Sequence, residues 1–431
     1  MSEYATLLRK NPDYRLLWLG SVVSQLGDWF NLIGSASLVA NLSGTGTAIS
    51  YLFLARFLPL FLFSPLAGIL ADRYERRHVM VASDLLRAAT VMAFLLVREP
   101  GQIWLLYVLT FTQFALSAIF TPARSAVLAN VVHRDELVPA NALDSLTWST
   151  MLAFGALLGG IVAATLGIAQ AFFLDAMTFV LSAVLISRIT GPIRAERTAA
   201  PRGGYFEFLD GLRYLRQQTF ILGVALVKAG GALAWGAINV LEITFANEIF
   251  QLDFSVGGTS LAVNIDSGTA VLGVIYFVSG LGTGLGPLIL RRWLGDAPIR
   301  QRWAISLGFG LMALGLVSLS IAPTLGLFSL ATLVRTVGSG TIWVFSAALL
   351  QMIVPDQFRG RVFAFEFAAL TLTQSISTFW AGFAQDTLGL SVQQVSFTMA
   401  IVAAVVGLSW IVFNARYLSR PMITGETRET V

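Results

Sequence analysis

The sequence predicts an all-α membrane protein of twelve transmembrane helices in two six-helix bundles, and three observations point to it. Hydrophobic residues make up 56% of the 431 and charged residues only 12%, whereas a water-exposed domain carries about 25% charged residues. Apolar runs of about 20 residues, the length that crosses a bilayer core, recur twelve times. Cationic side chains collect in alternate connections, as the positive-inside rule requires of a multi-span chain.

Six runs lie near 14–40, 47–70, 79–97, 102–131, 139–166 and 169–188, and six more near 219–247, 268–290, 302–321, 325–354, 362–386 and 392–415. They divide the chain into an N-terminal bundle (1–190), a cytoplasmic linker (191–218), a C-terminal bundle (219–418) and a cytoplasmic tail (419–431). The opening MSEYATLLRKNPDYR is polar and lacks a short apolar core with a small-residue cleavage site, so the first helix is expected to anchor the chain uncleaved. With the amino terminus in the cytoplasm, only Arg98 of the 28 Lys and Arg falls in an outer loop. Arg56, Arg87, Lys228 and Arg335 lie within spans, and all the others are inside or at the inner interface. An even span count returns the carboxyl terminus to the cytoplasm. The chain is thus expected to be multi-pass in a plasma membrane, with membrane lipids as its solvent.

Composition excludes several chemistries. There is no cysteine, hence no disulfide framework, thiolate metal site or Cys nucleophile. The net charge of +4 does not imply a nucleic-acid partner, because the arginines sit between hydrophobic runs. The 39 glycines suit helices that approach closely in lipid.

Within the linker, Tyr205, Phe208, Leu209, Leu212 and Leu215 recur at helical spacing opposite Glu207, Asp210, Arg213 and Arg216. This pattern reads as an amphipathic helix on the inner interface, or as a simple tether between bundles. Two features recur at one offset: Ser64-Pro65-Leu66 matches Gly286-Pro287-Leu288, and Val132 matches Val354, 222 residues apart in each case. Tandem halves joined by a cytoplasmic loop are a common transporter plan. The loop Gln251 to Ser267 would be an insertion in the second half.

The connection after span 2 reads Gly68-Ile-Leu-Ala-Asp72-Arg73-Tyr-Glu75-Arg76-Arg77. A Gly, an Asp-Arg four residues on and then a basic pair make this loop resemble the signature of the major facilitator superfamily. Ser24-Gln-Leu-Gly27-Asp28-Trp, Asp84-Leu-Leu-Arg87-Ala, Ala140-Asn141-Ala-Leu, Asp175-Ala-Met-Thr178-Phe179 and Arg359-Gly-Arg361-Val extend the resemblance to the twelve-span efflux branch that exports macrolides and siderophores. It covers nearly the whole chain. The resemblance implies the major facilitator fold, a bacterial inner membrane, a monomer, and a gate loop of Gly68, Asp72, Arg73, Arg76 and Arg77 whose Asp faces the start of span 11. In span 5 the chain departs from the pattern. Antiporters of the superfamily usually carry Gly-Pro there, and this sequence reads Gly155-Ala-Leu-Leu-Gly159-Gly160.

A charge at a helix centre costs about 2.5–3.5 kcal/mol on insertion scales, so those retained are functional candidates. Asp28 and Arg56 fall at similar depth and could meet. They are expected either to exchange a proton or contact a cationic substrate, or to form a permanent structural ion pair. Lys228 and Glu366 both enter from the inner side and could be partners. Arg335 has no evident acid at its level and is expected to face an anionic substrate group. Asp84 and Arg87, one turn apart near the inner face, are expected to pair with each other and the gate loop. Glu242 and Asp175 are expected near the outer interface, solvated. The aromatics Trp18, Trp29, Trp148, Trp235, Trp343 and Trp380 suit either helix packing or a cavity for a bulky substrate.

The expected function is that of a secondary active transporter exporting a small amphipathic, drug-like or siderophore-like compound by alternating access, with protons as coupling ion and no cofactor. A lipid or lysophospholipid flippase of the same fold is the alternative. From another class, a polytopic membrane enzyme would need a nucleophile with its base or a metal cluster; the two histidines, His78 and His133, fall in separate loops. The phosphate-cradling Gly-x-x-x-x-Gly-Lys-Ser/Thr motif is absent, so ATP is not the fuel. No ring of like charges suggests a channel.

Overall fold

Long unbroken helices dominate the computed structural model, as they must where no water can satisfy backbone polar groups. It describes residues 3–133, 136–190, 212–250, 255–256, 259–260, 267–295 and 297–417, apart from the side chains of 3, 64–73, 129, 138, 141, 142, 145, 255, 256, 259, 260, 356 and 357. Among the described residues, eleven helices are long and apolar enough to cross a membrane. The twelfth, span 1 (Pro12–Ser43), has the length but not the apolarity. Buried Ser21, Ser24, Asn31, Ser35 and Ser37 lower its hydropathy, because this helix packs polar side chains against its neighbours rather than apolar ones against lipid.

Spans 2 to 6 are Gly46–Arg73, Arg76–Ala93, Ile103–Val131, Leu137–Thr150 continued by Ala156–Thr165, and Ile168–Ser187. Span 7 is broken into Thr219–Ala225, Val227–Trp235, Ile238–Thr244 and a π turn, Phe245–Ile249. Spans 8 to 12 are Ser267–Leu294, Pro298–Ser320, Leu325–Ile353, Asp356–Asp386 and Val392–Ala415. Local chemistry sets their ends. Asn11 accepts the Tyr14 N–H at 2.9 Å ahead of Pro12, and Gly44 closes span 1 at φ 63°, its N–H on the Ala40 carbonyl. Span 12 starts on a capping box of Ser391 and Gln394. Spans 4 and 10 end alike: Val132 and Val354 are extended, and each N–H returns to the carbonyl four residues back. Of the loop after span 7, a two-residue antiparallel ladder is described, Ser255 opposite Ser260 and Val256 opposite Thr259.

Contacts group the chain into two compact units, one of Met1–Gly204 with Ile243–Gly280 and the other of Tyr205–Glu242 with Leu281–Val431. The first unit has an apolar cluster built on Leu7, Tyr14, Leu17, Met80, Phe120, Val127 and Ile186. Its span 5 carries a π turn, Met151–Gly155, just ahead of Ala156, where the resemblance would place a proline. The glycines that follow let helices touch: a methyl group on Gly155 would lie 2.7 Å from the Trp29 ring, and one on Gly160 would lie 2.9 Å from Gly273 Cα. Ser37 and Thr269 share a 2.6 Å hydrogen bond, and Trp29 packs on Tyr276 with ring centroids 5.6 Å apart.

In the second unit, spans 9 and 10 meet through Gly308 and Gly338, where a methyl group on either would strike the other's carbonyl. Of the linker, residues 212–217 are described and helical, with Leu215 buried and Tyr214 stacked on Phe358 at 4.2 Å. The expected amphipathic partners from Tyr205 to Asp210 lie outside the described residues, as does the carboxyl-terminal tail.

Candidate functional site

Both units bury charged side chains. In the first unit a cluster is built by spans 1, 2, 3 and 6. Asp84 and Arg87, three residues apart on span 3, are both buried and form an ion pair. The Arg87 guanidinium is held between two rings, 4.5 Å from the Phe120 centroid and 4.4 Å from that of Phe179. That cation–π sandwich is stronger out of water than at a surface. Arg56 from span 2 is also buried and lies over Phe114 at 4.4 Å; its Nη1 has no hydrogen-bond partner.

Asp28 on span 1 is partly exposed and lies within electrostatic reach of Arg87, Arg56 and Asp84. Asp175 on span 6 completes the set. Sequence reasoning placed it at the solvated outer interface, and the structure overturns this: Asp175 is 0% exposed, and neither carboxylate oxygen has a hydrogen-bond partner. Span 6 begins at Ile168, so Asp175 lies seven residues, about 10 Å, inside its outer end.

The second unit buries two ion pairs among its described residues. Lys228 Nζ lies 3.2 Å from Glu366 Oε1 and 4.5 Å above the Trp343 ring. Arg335 Nη2 donates to Glu242 Oε1 at 2.5 Å, and both residues are buried. The expectation that Arg335 lacks an acid, and that Glu242 is solvated, is therefore corrected. Span 7 runs through its π turn to Ile249, which draws Glu242 seven residues below the outer end and level with span 10.

At the inner face, span 2 continues as helix through Gly68, Asp72 and Arg73, whose side chains lie outside the described residues. The expected contact of Asp72 with span 11 lies outside them too. Arg77 ties the gate loop to span 6 by donating to the Ile189 carbonyl at 2.9 Å, and it pairs with Glu75 at 2.9 Å. Arg76 opens span 3 and has partners of its own.

Two networks escaped the sequence reading. Arg124 on span 4 pairs with both oxygens of Asp144 at 2.8–2.9 Å and donates to Ser21 at 2.5 Å. Beside it, Trp18 donates to Thr147 at 2.9 Å. Arg302, assigned to the inner interface, is 1% exposed; it donates to the Asn414 side chain and carbonyl and faces the Phe220 ring at 4.9 Å. Neither Arg-Asp at a separation of 20 nor Arg-Asn at 112 has a spacing that a sequence pattern marks.

The chain is similar to the MFS-type transporter YfiS of Bacillus subtilis (strain 168), 27% identical over 392 residues covering 89% of each. It is 23% identical over 387 residues to macrolide efflux protein A of Streptococcus pyogenes, covering 87% of this chain and 90% of that one. Among solved structures it shares the fold of the nucleoside transporter NupG, with a TM-score of 0.69 at 13% identity over 93% of this chain and 98% of that one. A bacterial homolog of the human lysosomal transporter Spinster aligns with a TM-score of 0.72 at 11% identity over 95% and 98%. The family model described as transmembrane secretion effector matches residues 1–420. The chain belongs to that family of the major facilitator superfamily, and is a multi-pass membrane transporter of small molecules rather than an enzyme.

Proposed function

We propose that the protein exports an amphipathic, drug-like or siderophore-like compound from the cytoplasm, exchanging it for protons as its two halves alternate access to a site near the bilayer midplane. The observation that carries this reading is the charge cluster of the first unit: Asp28 keeps partial access while Arg56, Arg87, Asp84 and Asp175 around it are buried. A carboxylate that is partly exposed and set among buried charges depends strongly on its neighbours, which is what proton exchange requires.

Efflux as the direction, and a bulky amphipathic compound as the cargo, are supported by the likeness to macrolide efflux protein A. In this reading Gly68, Asp72, Arg73, Arg76 and Arg77 form the inner gate, with Arg77 anchored to the end of span 6. Lys228, Glu366 and Trp343 face the cargo in the second unit, and Glu242–Arg335 holds spans 7 and 10 together. The protein works as a monomer in a bacterial inner membrane, both termini inside.

The test is transport in proteoliposomes with an imposed pH gradient and a panel of erythromycin, ethidium, a ferric siderophore and a lysophospholipid. Gradient-driven accumulation of one of the first three supports the proposal. Movement of the lysophospholipid alone, without a gradient, would replace it by a flippase.

A further inference from the structure

Asp175 is the group in the first unit whose surroundings the ion pairs leave unexplained. Span 1 is notched at Gly27 to receive it: a methyl group there would overlap Asp175 Oδ1 and Thr178 Oγ1. Although Thr178 stands beside the carboxylate, its hydroxyl donates instead to the Asp175 main-chain carbonyl at 2.6 Å. The Asn31 side chain from span 1 is the other polar neighbour, and its Nδ2 has no partner at hydrogen-bond geometry. Thus Asp175 is fully buried and packed against span 1, with no cation paired to it and the Asn31 amide as the donor beside it.

Among the described residues, the titratable and charged groups within electrostatic reach of this region are Asp28 from span 1, Arg56 from span 2, Asp84 and Arg87 from span 3, and Tyr276 from span 8. Three carboxylates meet two guanidiniums. Guanidinium is always charged, so the ionised set has a formal charge of −1 and a single proton neutralises it. Arg87 is committed to Asp84 and to the two phenyl rings. A lone carboxylate out of water costs several kcal/mol unless it is paired or hydrogen-bonded. Of the three acids, Asp84 has its guanidinium and Asp28 is partly exposed. Asp175 has neither.

We propose that Asp175 holds the proton this transporter exchanges, receiving it from and returning it to the accessible Asp28 one helix away. The proposal rests on proton coupling as the driving reaction. Binding and release are one proton transferred between two carboxyl oxygens, so no other reactant is needed.

Infrared difference spectroscopy on the purified protein in detergent tests the site without a substrate. At neutral pH the wild type should show the C=O band of a protonated carboxyl group, lost in Asp175→Asn. Since Asn is isosteric with the protonated acid, Asp175→Asn should also keep the wild-type thermal stability. In proteoliposomes loaded with radiolabelled erythromycin, that variant should retain exchange down the erythromycin gradient and lose acceleration by a pH gradient. A band that survives in Asp175→Asn overturns the proposal. So does a variant that fails to fold, since that marks an ionised partner of Arg56. A wild type indifferent to the pH gradient overturns proton coupling and the role of Asp175 together, whereas a driven wild type with an equally driven Asp175→Asn overturns this assignment alone.

Discussion

Replacing Arg335 by Gln removes the guanidinium that donates to Glu242 at 2.5 Å, in surroundings where both side chains are almost fully buried. At that separation and an effective dielectric of about 20, the Coulomb attraction is about 7 kcal/mol, most of it offset by the desolvation of both charges. The single variant loses the attraction and keeps the desolvation of the carboxylate, so it should be destabilised by about 3–5 kcal/mol. Arg335→Gln with Glu242→Gln removes both charges and should recover most of the loss, because a well-packed neutral pair is often as stable as the buried ion pair it replaces. Thermal unfolding in detergent micelles, followed by size-exclusion chromatography, measures the wild type, both singles and the double. If Arg335→Gln matches the wild type, or if the double variant is no better than the worse single, the pair is not the structural tie argued above.

Three further outcomes are expected. The chain has no cysteine, so Ser37→Cys with Thr269→Cys can be introduced without background. The two hydroxyls are 2.6 Å apart, and the thiols should oxidise to a disulfide, lose reactivity to a maleimide, and arrest transport until dithiothreitol restores it; free thiols after oxidation would refute the contact. Arg87→Lys keeps the charge but forfeits the planar stack between Phe120 and Phe179, and should cost about 2 kcal/mol in micelle unfolding; a wild-type melting temperature would refute the sandwich. Arg302→Gln breaks two hydrogen bonds to Asn414 and the contact with Phe220. It should lower stability by about 3 kcal/mol, with Asn414→Ala reproducing much of the loss if the bonds and not the charge are responsible.

Hydrophobic length made the twelve spans legible, because a bilayer demands about 20 apolar residues whatever the protein does. Span 1 was the weakest by hydropathy for a structural reason: its polar residues are buried against other helices rather than exposed to lipid. Depth counting from the ends of the apolar runs brought Lys228 beside Glu366 and failed for Glu242 and Asp175. Glu242 seemed solvated because the apolar run ends near residue 247, yet the π turn carries the span to Ile249. Asp175 was misplaced by treating a short distance from the helix start as access to water, when Gly27 lets span 1 close over it. Arg124–Asp144 and Arg302–Asn414 join residues on different helices, and helical spacing cannot show them.

The two units treat buried charge differently, and this bears on where pH can act. In the second unit Glu242 is matched by Arg335 and Glu366 by Lys228, so each carboxylate already has its counter-ion. The remaining buried cation among the described residues there, Arg302, is held by an amide side chain and a main-chain carbonyl and cannot lose its proton. Adding a proton to either pair would strand a buried cation, which costs as much as stranding an anion. In the first unit the count is odd, with Asp28, Asp84 and Asp175 against Arg56 and Arg87, so a proton relieves an imbalance instead of creating one. A pH gradient should therefore act through spans 1, 3 and 6, while changes at Lys228, Glu366 or Trp343 alter which cargo is carried and leave the pH response in place. Measuring the gradient response of Glu366→Gln beside that of Asp175→Asn decides between the two assignments, since loss of coupling in the former with its retention in the latter would move the proton to the second unit.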